Sequence, residues 1–313
     1  MVKKPTGKNR LSPFLRGALL LFLLSAGGCA VDPSELSDST VDTGESYRHG
    51  GRSKPLLPSG RWWEYFDEPG LIQLIRKLDR DNPSLAVSLA RLDRTRAEMG
   101  LERTDQFPTI TGDAAAERKR DSASGVFVPN ELTYNEFRSA LNLRWEIDFW
   151  GRVRKTVKAA EAEMEAADAD WAAARLSLRG ELARNYFQLR YLDAEKQLVE
   201  DGLALREENL RLVAAQVREG ETTELDLRRA ETEVEAVRAD LMRLERDRAS
   251  LFNGIAFLCG EVPSQFSLPR GSIGKTPRLP EGLPCELLSR RPDIAAADHR
   301  MRAAATRIGV VRA

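Results

Sequence analysis

Residues able to do covalent or acid–base chemistry are few and scattered in this chain. Histidine occurs only as His49 and His299, and cysteine only as Cys29, Cys259 and Cys285. Metal centres and nucleophilic sites need such residues at fixed spacings, and the sequence carries no zinc spacing, phosphate loop or nucleophile elbow. Glu146 and Asp148 stand two apart in an alternating stretch, which reads more readily as the polar face of a strand than as an acid–base pair. Cys259 and Cys285 could pair in an oxidising compartment, but their spacing alone decides nothing. No enzyme, cofactor or metal site is expected. The remaining cysteine, Cys29, stands apart from both, at the end of an apolar N-terminal run.

That cysteine ends an address. Lys3, Lys4, Lys8, Arg10 and Arg16 precede the apolar run "GALLLFLLSAGG". Basic start, short apolar core and small residues are the order of a secretory signal. The run is about a dozen residues, against roughly 20 for a helix that spans a bilayer. "LSAGGC" resembles a bacterial lipobox, with Ala26 where leucine is commoner. Ala30 follows where an inner-membrane retention signal would carry aspartate, which by resemblance favours the outer membrane. Residues 1–28 are therefore expected to be a signal peptide, and 29–61, polar and rich in Ser, Gly and Pro, a lipid-anchored tether.

The elements that follow must position something other than an active site. Of 313 residues, 42% are hydrophobic and 31% charged, with 48 Lys+Arg against 48 Asp+Glu. A zero balance argues against a nucleic-acid binder, which needs a basic surplus. Dense mixed charge suits long solvated helices. "WWEYFDEP" is an aromatic cluster without clear period. A short helix is expected over 70–78, and another from Pro83 to about 104. Strands follow at about 107–120 and 133–149. Helices of about 152–218 and 224–258 come next, the first on the order of 100 Å long. The seam of the second is Leu227, Ala230, Val234, Val237, Leu241, Leu244, Arg248, Leu251, Ile255 and Leu258. Its gaps alternate three and four, the coiled-coil period. "GETTE" breaks the pair, so the helices fold back antiparallel. Residues 260–291 read as a Gly- and Pro-rich linker.

The chain then repeats itself. A shift of 209 places Pro292 on Pro83, Ile294 on Leu85, Met301 on Leu92 and Gly309 on Gly100. The sequence ends at Ala313, just before the point where a second first strand would begin, so it looks cut inside its second unit.

In the strand to Phe149, Leu141, Leu143, Trp145, Ile147 and Phe149 alternate with Asn142, Arg144, Glu146 and Asp148. A soluble sheet would turn the apolar set to a core. A membrane barrel would turn it to lipid, with Arg144, Glu146 and Asp148 toward a wet lumen. The outer-membrane address and the scarcity of other strands favour the barrel. Two strands cannot close one, so others must come from the second repeat and other subunits.

With these segments in order, the chain resembles the TolC-type outer-membrane factors of tripartite efflux systems, specifically their NodT-like lipoprotein branch. The resemblance rests on the lipobox, "WWEYFDEPGLIQLI", "FPTITG", "LNLRWEIDFWGRVR", "REGETTELDLRRAE" and the stretch from "LPEGLPCELL" to the end. It implies a mainly α fold: a long antiparallel coiled-coil hairpin of a periplasmic α-barrel plus two transmembrane strands. Residues 62–259 would be a first repeat and 292–313 the start of a second. It also implies a homotrimer with twelve strands, a periplasmic adaptor protein, an inner-membrane transporter, and outer-membrane lipid as partners. The family's adaptor-facing turn falls here on Arg218, Gly220, Thr223, Leu225 and Asp226. The simpler reading of Gly220 and Thr223, that they end one helix and cap the next, stands beside docking. The rivals are a periplasmic coiled-coil adaptor, which would flank its hairpin with compact β domains, and a fragment of a channel with no function of its own.

Overall fold

The computed structural model describes residues 60–120, 133–272, 274, 277, 288 and 290–313. The signal, the tether, Cys29 and Cys285 lie outside them. A 3₁₀ turn, Trp62–Phe66, leads into α1 (Pro69–Asp81) and α2 (Pro83–Thr104). Strands β1 (Thr109–Arg120) and β2 (Thr133–Arg144) follow, then α3 (Arg152–Glu219), α4 (Glu224–Leu258) and α5 (Pro292–Val311).

The 68 residues of α3 form the axis of the molecule. At 1.5 Å per residue they extend about 100 Å. Three zones divide that length. From the turn to mid-helix, the described helix that pairs with α3 is α4. The antiparallel register is marked by Arg238 with Glu207 at 2.8 Å and Arg248 with Asp193 at 2.6 Å. All ten seam positions of α4 are buried or half-buried, Val234, Leu244, Ile255 and Leu258 fully and Val237 and Leu241 partly.

The middle zone is the core. α1 presents Leu71, Leu74, Ile75 and Leu78, the i, i+3, i+4, i+7 stripe of an amphipathic helix. These pack on Leu182, Tyr186 and Leu189 of α3 and on Ile255 and Leu258 of α4, with Trp63 and Phe266 closing the ends. α1 is also pinned by charge. Asp79 accepts from Arg175 Nε at 3.0 Å and Arg179 Nε at 2.9 Å, and Arg179 stacks 4.5 Å over the Trp63 ring. Burial pushes the Asp79 carboxyl up, but the two guanidiniums hold it below its ordinary range. Residues 261–272, expected as linker, lie against this core. Phe266 is buried, and the Pro269 carbonyl accepts from buried Arg190 at 2.6 Å.

One residue joins three helices here. Asn82 caps α2 by accepting from the Leu85 N–H at 2.9 Å, and its amide donates 2.7 Å to the Leu258 carbonyl at the end of α4. The chain then turns through Gly260, at φ +69°, with Gly260 and Glu261 N–H groups bonded back to Phe257 and Ala256 carbonyls. This is the Schellman pattern that satisfies the last carbonyls of a helix.

In the third zone α3 is flanked by α2 and α5, both antiparallel to it. Arg96 and Arg103 of α2 reach Asp168 and Glu161, whereas Arg300 and Arg307 of α5 reach Asp170 and Glu163. The two acidic pairs are offset by two positions, about 200° around a helix, so α2 and α5 sit on opposite flanks. The repeated helices also use opposite faces. α2 buries Leu85 and Leu92, but α5 buries Ala296 and Ala303, leaving their counterparts Ile294 and Met301 partly exposed.

Candidate functional site

β1 and β2 form an isolated antiparallel ribbon in register Thr109↔Arg144 through Arg120↔Thr133. Directly opposed residues share a face. One face carries Ile110, Leu143, Gly112, Leu141, Ala116 and Phe137. The other carries Thr111, Asp113, Asn142, Arg138, Glu136 and Arg144. The faces differ in chemistry as the alternation predicts, and Asn142 donates to Asp113 at 2.7 Å across the polar one. Leu141 is 83% exposed and Phe137 79%, and no described residue covers either face. A lone two-stranded ribbon with an open apolar face is marginal in water, so its stability depends on its surroundings.

The strand ends five residues earlier than the alternation suggests. β2 stops at Arg144 because its partner runs out: Thr109 is the last pairing residue of β1, and Pro108 before it has no N–H to donate. Trp145, Ile147 and Phe149 thus lie beyond the strand, exposed, rather than on its apolar face. With Phe107 and Trp150 they ring the ribbon's base, and Trp145 Nε1 donates to the Gln106 carbonyl at 3.4 Å.

Glu146 and Asp148 also leave the strand, and both anchor its junction with α3. Glu146 accepts from Arg152 Nε and Nη2 at 2.9 and 2.7 Å. Asp148 accepts from the Val153 and Arg154 N–H groups at 3.2 and 2.9 Å. It supplies the capping oxygens that Gly151, at the N-cap, lacks, and its negative charge meets the positive end of the helix dipole. Partial burial raises the Asp148 carboxyl, but those N–H donors and the Arg154 guanidinium bring it below its ordinary range.

At the far end, Gly220 at φ +77° closes α3 in a second Schellman turn, with Gly220 and Glu221 bonded to Val217 and Gln216 carbonyls. Thr223 then caps α4, accepting from the Asp226 N–H at 3.3 Å, while the Asp226 carboxylate accepts from the Thr222 and Thr223 hydroxyls at 3.0 and 2.6 Å. These hydroxyls, Thr223 foremost, hold the Asp226 carboxyl below its usual value. Arg218, Gly220 and Leu225 are exposed, Leu225 by 58%. A turn with its polar groups satisfied internally leaves a rigid tip with an exposed leucine.

One feature escaped the sequence reading. Tyr191, Leu198, Leu205 and Leu212 stand seven apart on α3, and each is 55–73% exposed. A strict heptad of large apolar residues marks a second helix seam, distinct from the one α4 covers. The signal was present in the sequence as spacing, on a face of α3 that α4 does not cover.

Among the described residues no group of His, Cys, Asp and Glu could hold a metal, and no helix is long and apolar enough to cross a membrane. Cys259 lies buried between α1 and α4, its Sγ 3.8 Å from the Leu74 carbonyl. Burial pushes its thiol up to about 11. In a Cys29→Ser, Cys285→Ser background, a disulfide reagent at pH 8 should therefore react with Cys259 at least about 100-fold slower than with a free thiol, and at the ordinary rate once urea unfolds the chain. A fast reaction in the native protein would contradict the burial.

Known proteins match this arrangement. The outer membrane efflux protein family matches residues 74–261. The pyoverdine export outer membrane protein OpmQ of Pseudomonas putida is 30% identical over 82% of this chain and 56% of its own length. Outer membrane protein OprJ of Pseudomonas aeruginosa is 29% identical over 94% and 62%. Among solved structures, the outer-membrane channel OprN superposes with a TM-score of 0.76 at 32% identity, covering 87% of this chain and 62% of that one. VceC of Vibrio cholerae gives 0.73 at 28%, over 82% and 62%. The chain thus spans about three-fifths of the length of these relatives. With the two-faced ribbon, the oversized hairpin and the capped tip in place, the match over most of the chain identifies it as a member of the outer membrane efflux protein family.

Proposed function

We propose that the chain is an outer-membrane channel subunit of a tripartite efflux system, a passive conduit rather than an enzyme. The observation that carries this reading is the ribbon at one end of a helix about 100 Å long. One face is apolar and the other polar, and no described residue covers either. Lipid against Leu141 and Leu143, and a wet lumen against Arg144 and Asn142, would satisfy both faces when further strands close the barrel. Phe107, Trp145, Phe149 and Trp150 then sit at the inner interface as an aromatic girdle, and the helices extend into the periplasm. Cys29 would add a lipid anchor, supported by "LSAGGC".

A ring of such subunits gives the exposed helix faces partners. α2, α3 and α5 already lie side by side as a piece of wall. The apolar residues left open, Ile294, Met301 and Ile308 on α5 and the heptad on α3, face positions where neighbouring helices of a homotrimer would pack. The names of OpmQ and OprJ place those relatives in the outer membrane. A periplasmic adaptor docking on Arg218, Gly220, Thr223, Leu225 and Asp226, and through it an inner-membrane transporter, are the partners this reading requires.

A photocrosslinker at position 225, in cells that carry adaptor and transporter, tests it. The chain should fractionate with the outer membrane and crosslink to the adaptor, identified by its peptides. Gly220→Arg should lower that crosslink by about tenfold or more, because an unpaired charge enters the contact. A membrane-bound chain that never crosslinks to the adaptor would remove docking. A chain recovered from the soluble periplasm would remove the membrane ribbon.

A further inference from the structure

The strap that follows α4, residues 261–272, meets the helices at a buried pair of opposite charges. Arg190 and Asp193 stand about one turn apart on α3, both side chains buried, with Nη1 and Oδ2 3.4 Å apart. Each also holds one backbone group of the strap. Arg190 Nη1 donates to the Pro269 carbonyl at 2.6 Å, and Asp193 Oδ2 accepts from the Gly271 N–H at 3.4 Å. The cation takes an acceptor and the anion a donor. Gly271 leaves space for this approach, because a Cβ there would stand 3.1 Å from Arg190 Nη1. The pair has other partners as well. Asp193 Oδ1 accepts from Arg248 Nε of α4 at 2.6 Å. The Arg190 guanidinium lies 4.8 Å over the Tyr186 ring, and its Nη2 donates to the Tyr186 oxygen at 3.3 Å. That hydroxyl donates in turn to Glu68, the N-cap of α1, at 3.0 Å. One run of contacts therefore ties α1, α3, α4 and the strap together, at the end of α1 nearest the tip.

We propose that Arg190 and Asp193 form a latch on the strap: closed, it restrains the hairpin at its root, and open, it lets the hairpin swing. The latch rests on the helices alone and so stands apart from the membrane reading. Opening strands no charge. Without the strap, Arg190 keeps Asp193 and Tyr186, and Asp193 keeps Arg190 and Arg248. A buried pair is hard to break when one ion is left uncompensated, and here neither is. What opening gives up is one short charge-assisted bond and one longer one. The strap is exposed at Ser267 and from Pro269 to Ser272, while Phe266 stays buried as its hinge. A cleft of about 610 Å³ beside it, between Lys196 and Glu200 of α3 and Arg270 and Ser272, leaves it room to move. Few bonds and much exposed backbone mark a segment that opens before the fold does.

The test uses the full chain with Cys29→Ser and Cys285→Ser, purified in mild detergent, in which Cys259 is buried away from labels. Amide exchange followed by mass spectrometry reports on the strap. Spin labels at Leu225→Cys and Arg76→Cys, both exposed positions, report the distance from the tip to α1 once labelled chain is diluted with unlabelled. Asp193→Asn keeps the shape and removes the charge. It should speed exchange over residues 267–272 by about tenfold or more and leave 251–258 of α4 as protected as before. It should also broaden the tip distance by about twofold. Gly271→Ala leaves every charge in place but wedges the strap away from Arg190. It should do the same, and it decides the matter if Asp193→Asn fails to fold. Asp201→Asn, about two turns nearer the tip and paired with Gln197, should do neither. A strap that stays protected in the folded variants, or an equal loss of protection in α4, would overturn the latch. So would a freed strap with an unbroadened distance, or the same changes in Asp201→Asn.

Discussion

Gly260→Ala should destabilise the chain by about 3 kcal/mol or more, the sum of a left-handed backbone strain and a steric clash. The residue sits at φ +69°, and a Cβ there would run into the Asp81 carbonyl at the end of α1. That carbonyl is backbone and cannot rotate away. Relief requires the end of α4 to withdraw from α1, which breaks the Asn82 bond to the Leu258 carbonyl. Gly220→Ala is the internal control. Its φ is +77°, but nothing lies within 4 Å of its added Cβ, so it should cost only the backbone strain, about 1 kcal/mol. Urea unfolding followed by helical ellipticity compares the two. Equal losses would show that no clash exists at Gly260.

The second large effect is Leu189→Ala, expected to cost about 2–5 kcal/mol. Leu189 has no exposed surface and lies where α1, α3 and α4 meet, so truncation leaves a cavity that three helices cannot collapse together. Leu205→Ala, on the open heptad and 70% exposed, should stay within about 0.5 kcal/mol in the isolated chain. In an assembled ring the same substitution should weaken subunit association, measured as the dilution at which oligomers dissociate. A Leu205 variant that destabilises the dilute monomer as much as Leu189→Ala would mean that the second seam is buried within the subunit.

The hairpin was legible from sequence because its signal is local. The 3,4 alternation from Leu227 to Leu258 belongs to one helix and needs no knowledge of a partner, and its bounds of about 224–258 match α4. α3 differs from its expected end by one residue, at Glu219. The strand boundary failed for the opposite reason. The alternation does run on to Phe149, but a strand lasts only as long as its partner can exchange hydrogen bonds, and Pro108 ends that exchange from the other side. Glu146 and Asp148 kept the right spacing for a polar face, yet Arg152 and the N–H groups at the start of α3 claimed them. The 209-residue repeat correctly placed a helix at Pro292. It could not reveal which face would pack, because that depends on the flank of α3 each copy occupies. Phe266 and Pro269 looked like linker since turn-rich composition carries no information about docking.

The core around Leu182, Tyr186 and Leu189 stands well away from the tip. From Leu192 to Gly220 the hairpin reaches 28 residues, about 42 Å, and among the described residues its added support lies near the base, where Asp193 accepts from the Gly271 N–H at 3.4 Å. Mechanically this is a cantilever with its fulcrum in the layer of α1 against α3 and α4. A rocking of about 5° at the fulcrum sweeps the tip by roughly 4 Å over that reach, while the contacts near the fulcrum shift by only fractions of an ångström. Small rearrangements around Asp79 and Asn82 are thereby geared up into displacements at Leu225 comparable to a side chain's width.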